Sequence, residues 1–189
     1  RVGNIVATDY SSTLGLNGSS IQTVEHLLAA IAGLHIDNLY VEVDSPEVPI
    51  MDGSAYPFVE LILRCGVIQQ DKLKPYIKIV EPIEIIERDR YIRIEPSPFP
   101  AITYFMDFDH PLLTKQRFVY HYSIDSFIKE IAPARTFGFL KDVITLQEKG
   151  LGKGGSLNNV IILGDIEILN EEGLRYDDEF IRHKVLDLI

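Results

Sequence analysis

The chain has 189 residues, a hydrophobic fraction of 46% and a net charge of −10 at pH 7, enough for a real core in one large domain or two small ones. That acidity argues against a general nucleic-acid binder and against attachment to an anionic membrane by charge alone. The single cysteine, Cys65, excludes an internal disulfide framework and fits a reducing, cytoplasmic setting. No apolar run reaches the roughly 18 residues a membrane span needs, and R-V-G-N-I-V at the start lacks a signal-peptide layout.

Residues 2–7 read as a short strand, and the Ser-, Thr-, Gly- and Asn-rich stretch 8–20 as a loop. A helix is expected from Ile21 or Thr23, with Val24, Leu27, Leu28, Ile31 and Leu34 on its apolar face and Gly33 near its end. Leu39–Val43 alternates as a half-buried strand does. Met51-Asp52-Gly53-Ser54 reads as a turn and cap before a helix at about 55–65, whose apolar face carries Phe58, Leu61, Ile62 and Cys65. Gly66–Pro75 is polar and reads as a linker.

Beyond it the pattern turns to strands, at 77–80, 83–87 and 91–95, with Arg88-Asp89-Arg90 as a hairpin turn. Further strands are expected at 101–108 and 117–122, rich in aromatic and β-branched residues. Ser123 is placed to cap a helix at 124–131, and another helix follows at about 140–149. Gly150–Ser156 reads as a flexible glycine loop, and 160–163 and 167–169 as short strands before a final helix. Grouped strands with helices segregated between them favour an α+β fold in two halves over a doubly wound parallel sheet.

Two pieces of this pattern carry metal chemistry. On the final helix, His183 and Asp187 stand four residues apart, so their side chains stack on one face and suit one metal ion. The same spacing also serves ordinary imidazole–carboxylate contacts. On the first helix, Glu25-His26 offers a second imidazole beside a carboxylate that could take a proton from water. A solvated polar pair is the plain alternative. Taken together they give two histidines and an aspartate with an unligated glutamate. Three protein ligands is the count of a catalytic zinc site. No H-E-x-x-H is present, so a thermolysin-like helix is not expected. The glycine loop lacks the G-x-x-x-x-G-K-[ST] order, and a strand rather than a helix is expected after it, which excludes a P-loop. Thr136-Phe137 offers a hydroxyl for an oxyanion and an aromatic face, although the pattern alone prefers a strand end with a buried ring. His35, His110 and His121 have no ligand-like neighbour in sequence.

Six stretches in order, T-V-E-H-L-L-A-A at 23–30, I-D-N at 36–38, P-I-M-D-G-S-A at 49–55, A-R-T-F-G-F at 134–139, G-L-G-K-G-G-S-L at 150–157 and E-G-L-R-Y-D-D-E-F-I-R-H-K-V-L-D-L-I at 172–189, resemble the zinc-dependent UDP-3-O-acyl-N-acetylglucosamine deacetylases of Gram-negative lipid A biosynthesis. The resemblance implies two similar domains, each a sheet layered against helices, with the active site between them. It sets the first at 1–70, a linker at 71–75, and the second at 76–189 with an insert near 139–163. It implies a Zn²⁺ held by His26, His183 and Asp187, with Glu25 as the general base acting on the attacking water. Thr136 then supports the oxyanion, Phe137 lies near the sugar, and Lys184 supplies an active-site cation. Val143, Leu146, Ser156, Leu157, Val160 and Ile162 fall in the stretch that forms the passage for the acyl chain. The implied substrate is UDP-3-O-(3-hydroxyacyl)-N-acetylglucosamine, deacetylated with release of acetate. The family's opening strands and its later Gly-His, whose histidine serves as general acid, have no counterpart here. The sequence therefore reads as a fragment. The alternatives are a non-catalytic sugar-nucleotide or acyl-chain binding module on the same scaffold, and a different zinc amidohydrolase. No oligomer is implied.

Overall fold

The computed structural model describes residues 4–8, 10–148, 152 and 154–189, with side chains for all of these but 144 and 146–148. The chain opens in a three-stranded antiparallel sheet of β1 (Ile5–Ala7), β2 (Thr13–Leu16) and β3 (Ser19–Ile21). A hairpin therefore lies within the stretch expected as a loop. Its cause is Asn17-Gly18, whose φ values of 51° and 82° are those of a two-residue type I′ turn.

Helix α1 (Glu25–Gly33) buries His26, Ala29, Ala30 and Gly33. Gly33 is required by packing: a Cβ there would lie 2.3 Å from the Phe127 ring. The Tyr122 hydroxyl donates to the Gly33 carbonyl at 2.9 Å, and the Tyr122 ring stacks on His35. The turn before α2 (Tyr56–Cys65) forms as expected, although the N-cap position falls on Ala55, which has no side-chain cap. The Asp52 carboxylate accepts from the Ser54 amide and hydroxyl, and the Ser54 hydroxyl accepts from the Tyr56 amide. Leu39–Val43 and Ile77–Val80 do not form strands. Their apolar side chains are largely exposed, and no neighbouring backbone pairs with them among the described residues. Alternation fits a half-buried strand, but a ladder also needs a partner.

The second half contains two antiparallel hairpins, β4 (Ile83–Glu87) with β5 (Arg90–Ile94), and β6 (Ala101–Met106) with β7 (Gln116–His121). Arg88, at φ 58°, turns the first. Ser123 and Ser126 form a capping box at α3 (Ile124–Ser126), which runs on as a π-helical turn over Phe127–Ile131. β8 (Phe137–Phe139) pairs in parallel with β9 (Ile161–Leu163), and α4 (Leu140–Glu148) lies between them in sequence. Residues 167–169 contribute only an isolated bridge from Ile168 to Leu163. The result is a mixed α+β structure with several small sheets.

The last helix, α5 (Glu179–Leu188), joins two core clusters. Val185 and Leu186 pack into one built from α1, α2, β7 and the π-helical turn. Phe180 and Ile181 pack into the other, with Met106, Leu113, Ile161 and Leu163. His183 stands on the helix between those two anchors and is itself buried.

Candidate metal centre

Packing of α5 against α1 brings together the two pieces that sequence spacing singled out. The His26 and His183 rings lie 5.0 Å apart, nearly perpendicular. One turn further along α5, the Asp187 Oδ1 lies 3.4 Å from His183 Nε2. One ligand atom from each of the three residues falls within 4.8 Å of the others, the one such cluster among the described residues. Both histidines are nearly inaccessible, at 4% and 1% exposure. The aspartate side chain stays partly open to solvent.

Hydrogen bonding fixes one imidazole. His183 Nδ1 lies 2.9 Å from the Ala134 carbonyl oxygen, which can only accept. Nδ1 therefore carries the proton, and the Nε2 lone pair faces Asp187. This is the backbone-oriented arrangement typical of metal-binding histidines. His26 Nδ1 is buried and has no hydrogen-bond partner. A buried polar atom left bare in a folded protein calls for an explanation, and a bound ion supplies one. Burial, with the charge of His183 next, lowers the pKa of His26 to about 4. Burial likewise lowers that of His183. Both rings are thus neutral at pH 7, the form that binds metal. Burial works to raise the Asp187 pKa, but the charges of His183 and Lys184 outweigh it and hold the carboxyl below its ordinary value. With the imidazole neutral, the Lys184 ammonium, 2.9 Å from Asp187 Oδ2, is the influence that persists. Two neutral imidazoles and one carboxylate form a donor set that suits zinc, with room in the coordination sphere for a further ligand.

The neighbouring groups are placed by backbone contacts. Glu25 opens α1 next to His26, and the Ser12 amide donates to its Oε2 at 3.0 Å. Thr136 is half-buried at the entry to β8. Its amide donates to the Gly53 carbonyl and its carbonyl accepts from the Ile161 amide, at 2.8 and 2.9 Å. Phe137 packs edge-to-face on Phe180, and the Lys184 ammonium sits 5.2 Å above its ring. Lys184 therefore links the Asp187 carboxylate to the aromatic face of Phe137. Two open concavities, one along the β4–β5 hairpin and one over the 107–115 turn, do not border the cluster.

A sequence profile of the UDP-3-O-acyl N-acetylglycosamine deacetylase family matches residues 1–189, the whole chain. The chain belongs to this deacetylase family. Among curated relatives, the UDP-3-O-acyl-N-acetylglucosamine deacetylase of Syntrophus aciditrophicus is 47% identical over 186 residues, covering 98% of this chain and 59% of the relative. That of Thioalkalivibrio sulfidiphilus is 50% identical, covering 98% and 62%. That of Hahella chejuensis is 48% identical, covering 100% and 63%. The chain thus spans about three fifths of the length of the deacetylases it matches.

The residues expected along an acyl passage are more scattered in this family member than those of the cluster. Val143 is half-buried on α4. The side chain of Leu146 lies outside the described residues. Ser156 and Leu157 are exposed on the turn that leads into β9. Val160 is half-buried beside that strand, and Ile162 lies within it, paired with Gly138 of β8.

Other residues that shape the site went unseen in the sequence of this deacetylase-family chain. Ser12, which holds Glu25, sits in a stretch that composition marks as a loop. Arg135 lies inside A-R-T-F-G-F but is read past in favour of its neighbours. In sequence Glu179 suits the positive end of a helix dipole, and in the structure it is fully buried. Its spacing of four from His183 was the available signal, because it places both on the inward face of α5.

Proposed function

We propose that this chain carries the metal centre of a zinc-dependent deacetylase that hydrolyses the N-acetyl group of UDP-3-O-(3-hydroxyacyl)-N-acetylglucosamine and releases acetate, the committed step of Gram-negative lipid A biosynthesis. The observation that carries this reading is the buried His26–His183–Asp187 cluster, with a bare His26 nitrogen, in a chain matched along its full length by the deacetylase family. Zinc bound there supplies a Lewis acid that polarises the acetamide carbonyl and acidifies water.

The chain's own residues supply the remaining chemistry. Glu25 takes the proton of the attacking water. The Ser12 amide holds its Oε2 and directs the carboxylate, leaving Oε1 for the proton. Thr136 donates its hydroxyl to the developing oxyanion, and the two backbone bonds at that residue keep it from shifting during the reaction. Phe137 offers a ring face to the sugar. Lys184 holds Asp187 ionised and adds positive charge beside that ring. Val143, Ser156, Leu157, Val160 and Ile162 line the acyl passage, where each buried methylene contributes about 0.8 kcal/mol. The same reading takes 1–70 and 76–189 as two α+β domains joined at 71–75, with the insert at 139–163, working in the cytoplasm.

The test uses the full-length protein. It is expected to bind one zinc and release acetate from the acylated sugar nucleotide. A His26→Ala, His183→Ala double variant that still retains zinc removes the ligand assignment. Glu25→Gln is expected to keep zinc and to lose about 10²- to 10⁴-fold in kcat. Unchanged turnover would remove the base assignment. A full-length protein that binds the sugar nucleotide and zinc without releasing acetate would make this a binding module.

A further inference from the structure

Helix α5 meets the extended segment 133–136 through two of its inward-facing side chains, in register. The Ala134 carbonyl accepts from His183 Nδ1 at 2.9 Å. The next backbone amide, that of Arg135, donates to Glu179 Oε1 at 3.0 Å. Glu179 and His183 are four residues apart, so one helix face clasps the single Ala134–Arg135 peptide group at both ends, His183 at its C=O and Glu179 at its N–H. The Glu179 carboxylate is completely buried and takes three more bonds. Arg135 Nε donates to Oε1 at 2.9 Å, Arg135 Nη2 donates to Oε2 at 3.2 Å, and the Arg175 amide donates to Oε2 at 2.5 Å. The outer edge of the guanidinium ends on Glu172 and on the Gly173 carbonyl.

A buried ion pair of this kind is weak evidence for stability, because desolvating both partners offsets most of their attraction. What the two-pronged geometry supplies is direction. Sliding the segment along α5 would break the fork and leave a buried carboxylate and guanidinium unmatched. We propose that the Arg135–Glu179 pair positions His183: it locks the Ala134 carbonyl against Nδ1 and thereby aims Nε2 at the metal. This rests on the reading of His26, His183 and Asp187 as a metal centre. Glu179 and Arg135 act through His183 and are positioning residues.

The experiment titrates the metal-free full-length protein with Co²⁺, reading affinity and the visible absorption bands, with thermal unfolding of the metal-free form alongside. Wild type is expected to bind with a distinct visible spectrum, and His183→Ala to lose it. If either fails, the metal reading itself falls. Glu179→Gln is expected to weaken Co²⁺ binding by up to about 10- to 100-fold and to shift the bands, because it frees the Ala134 carbonyl, the outer partner of His183, to move. Glu172→Gln, which touches only the outer edge of the same guanidinium, is expected to leave affinity and spectrum as in wild type. A Glu179→Gln protein that is less stable yet binds Co²⁺ with wild-type affinity and spectrum overturns the positioning role and leaves the metal centre standing. If Glu179→Gln does not fold, Arg135→Lys reads the same link, because it keeps the charge and loses the fork. A shifted spectrum supports the proposal and an unchanged one overturns it.

Discussion

Replacing Gly53 by alanine puts two separate costs on one atom. Gly53 has a φ of 85°, a conformation that costs an L-residue about 1–2 kcal/mol. The added Cβ would also lie 1.8 Å from the Asn159 carbonyl oxygen and 2.8 Å from its carbon. Cβ contacts in folded proteins essentially never fall below 3.0 Å, so the two backbones must part by about 1.2 Å. Overpacking of this kind costs about 1–3 kcal/mol, and here it pushes on backbone that cannot rotate away. The expected loss is therefore about 2–5 kcal/mol. Gly18 provides the control: its φ is 82°, but a Cβ there meets nothing within 4 Å. Gly18→Ala should thus show the conformational cost alone, about 1–2 kcal/mol. Urea unfolding of both variants in the full-length protein separates the two contributions. The Gly53 carbonyl also holds the Thr136 amide, so Gly53→Ala should reduce turnover as well. If the two variants lose equal stability, within about 0.5 kcal/mol, the close approach of residues 53 and 159 does not exist and the argument fails.

Other expectations follow from the same contacts. Gly33→Ala drives a methyl group into the buried Phe127 ring and should cost about 1–3 kcal/mol by urea unfolding, with Tyr122→Phe losing about 1 kcal/mol at the adjoining hydrogen bond. In the metal-free protein, His26 resists protonation that the unfolded chain accepts from its ordinary pKa of 6.5 down to about 4. The unfolded state then binds more protons than the folded one, so stability is full above pH 6.5 and falls by about 3 kcal/mol toward pH 4. Unfolding midpoints measured across that window should show at least this slope, and His26→Gln should reduce it, leaving the part that buried His183 contributes with the same sign. Lys184→Gln removes the ammonium beside Asp187, so the carboxyl should protonate at higher pH. Zinc competition with a chelator between pH 5 and 7 should then show a steeper loss of affinity on acidification than in wild type.

The features legible in the sequence were those with local causes. Apolar spacing located helices α1, α2 and α5, although Leu28, Leu61 and Cys65, expected on inward faces, are exposed, and the pairing of His183 with Asp187 needs only the pitch of a helix. The meeting of that pair with His26 depends on α1 packing against α5, which no spacing encodes; the ordered motifs supplied it. The 13–21 hairpin was readable from Asn17-Gly18, but its serines and glycines resemble a loop in composition. The 39–43 and 77–80 stretches failed in the opposite way. Alternation there is intact, and pairing, a property of two segments, is missing. Glu179 was hidden by its chemistry, since an acid at a helix start is usually a solvated neighbour of the dipole. Arg135, distant in sequence, and the Arg175 amide make its burial tolerable.

The acceptor that orients His183 is a main-chain carbonyl. Every amino acid carries that group, so no substitution at position 134 can delete it; a replacement can only displace it. Side-chain orienters in other metal sites are lost by one codon change. Here such a loss would require changing the path of the chain, and the point of genetic vulnerability moves away from the atom that makes the bond. It passes to the residues that hold the path, Arg135 and Glu179 from one side and Gly53 from the other.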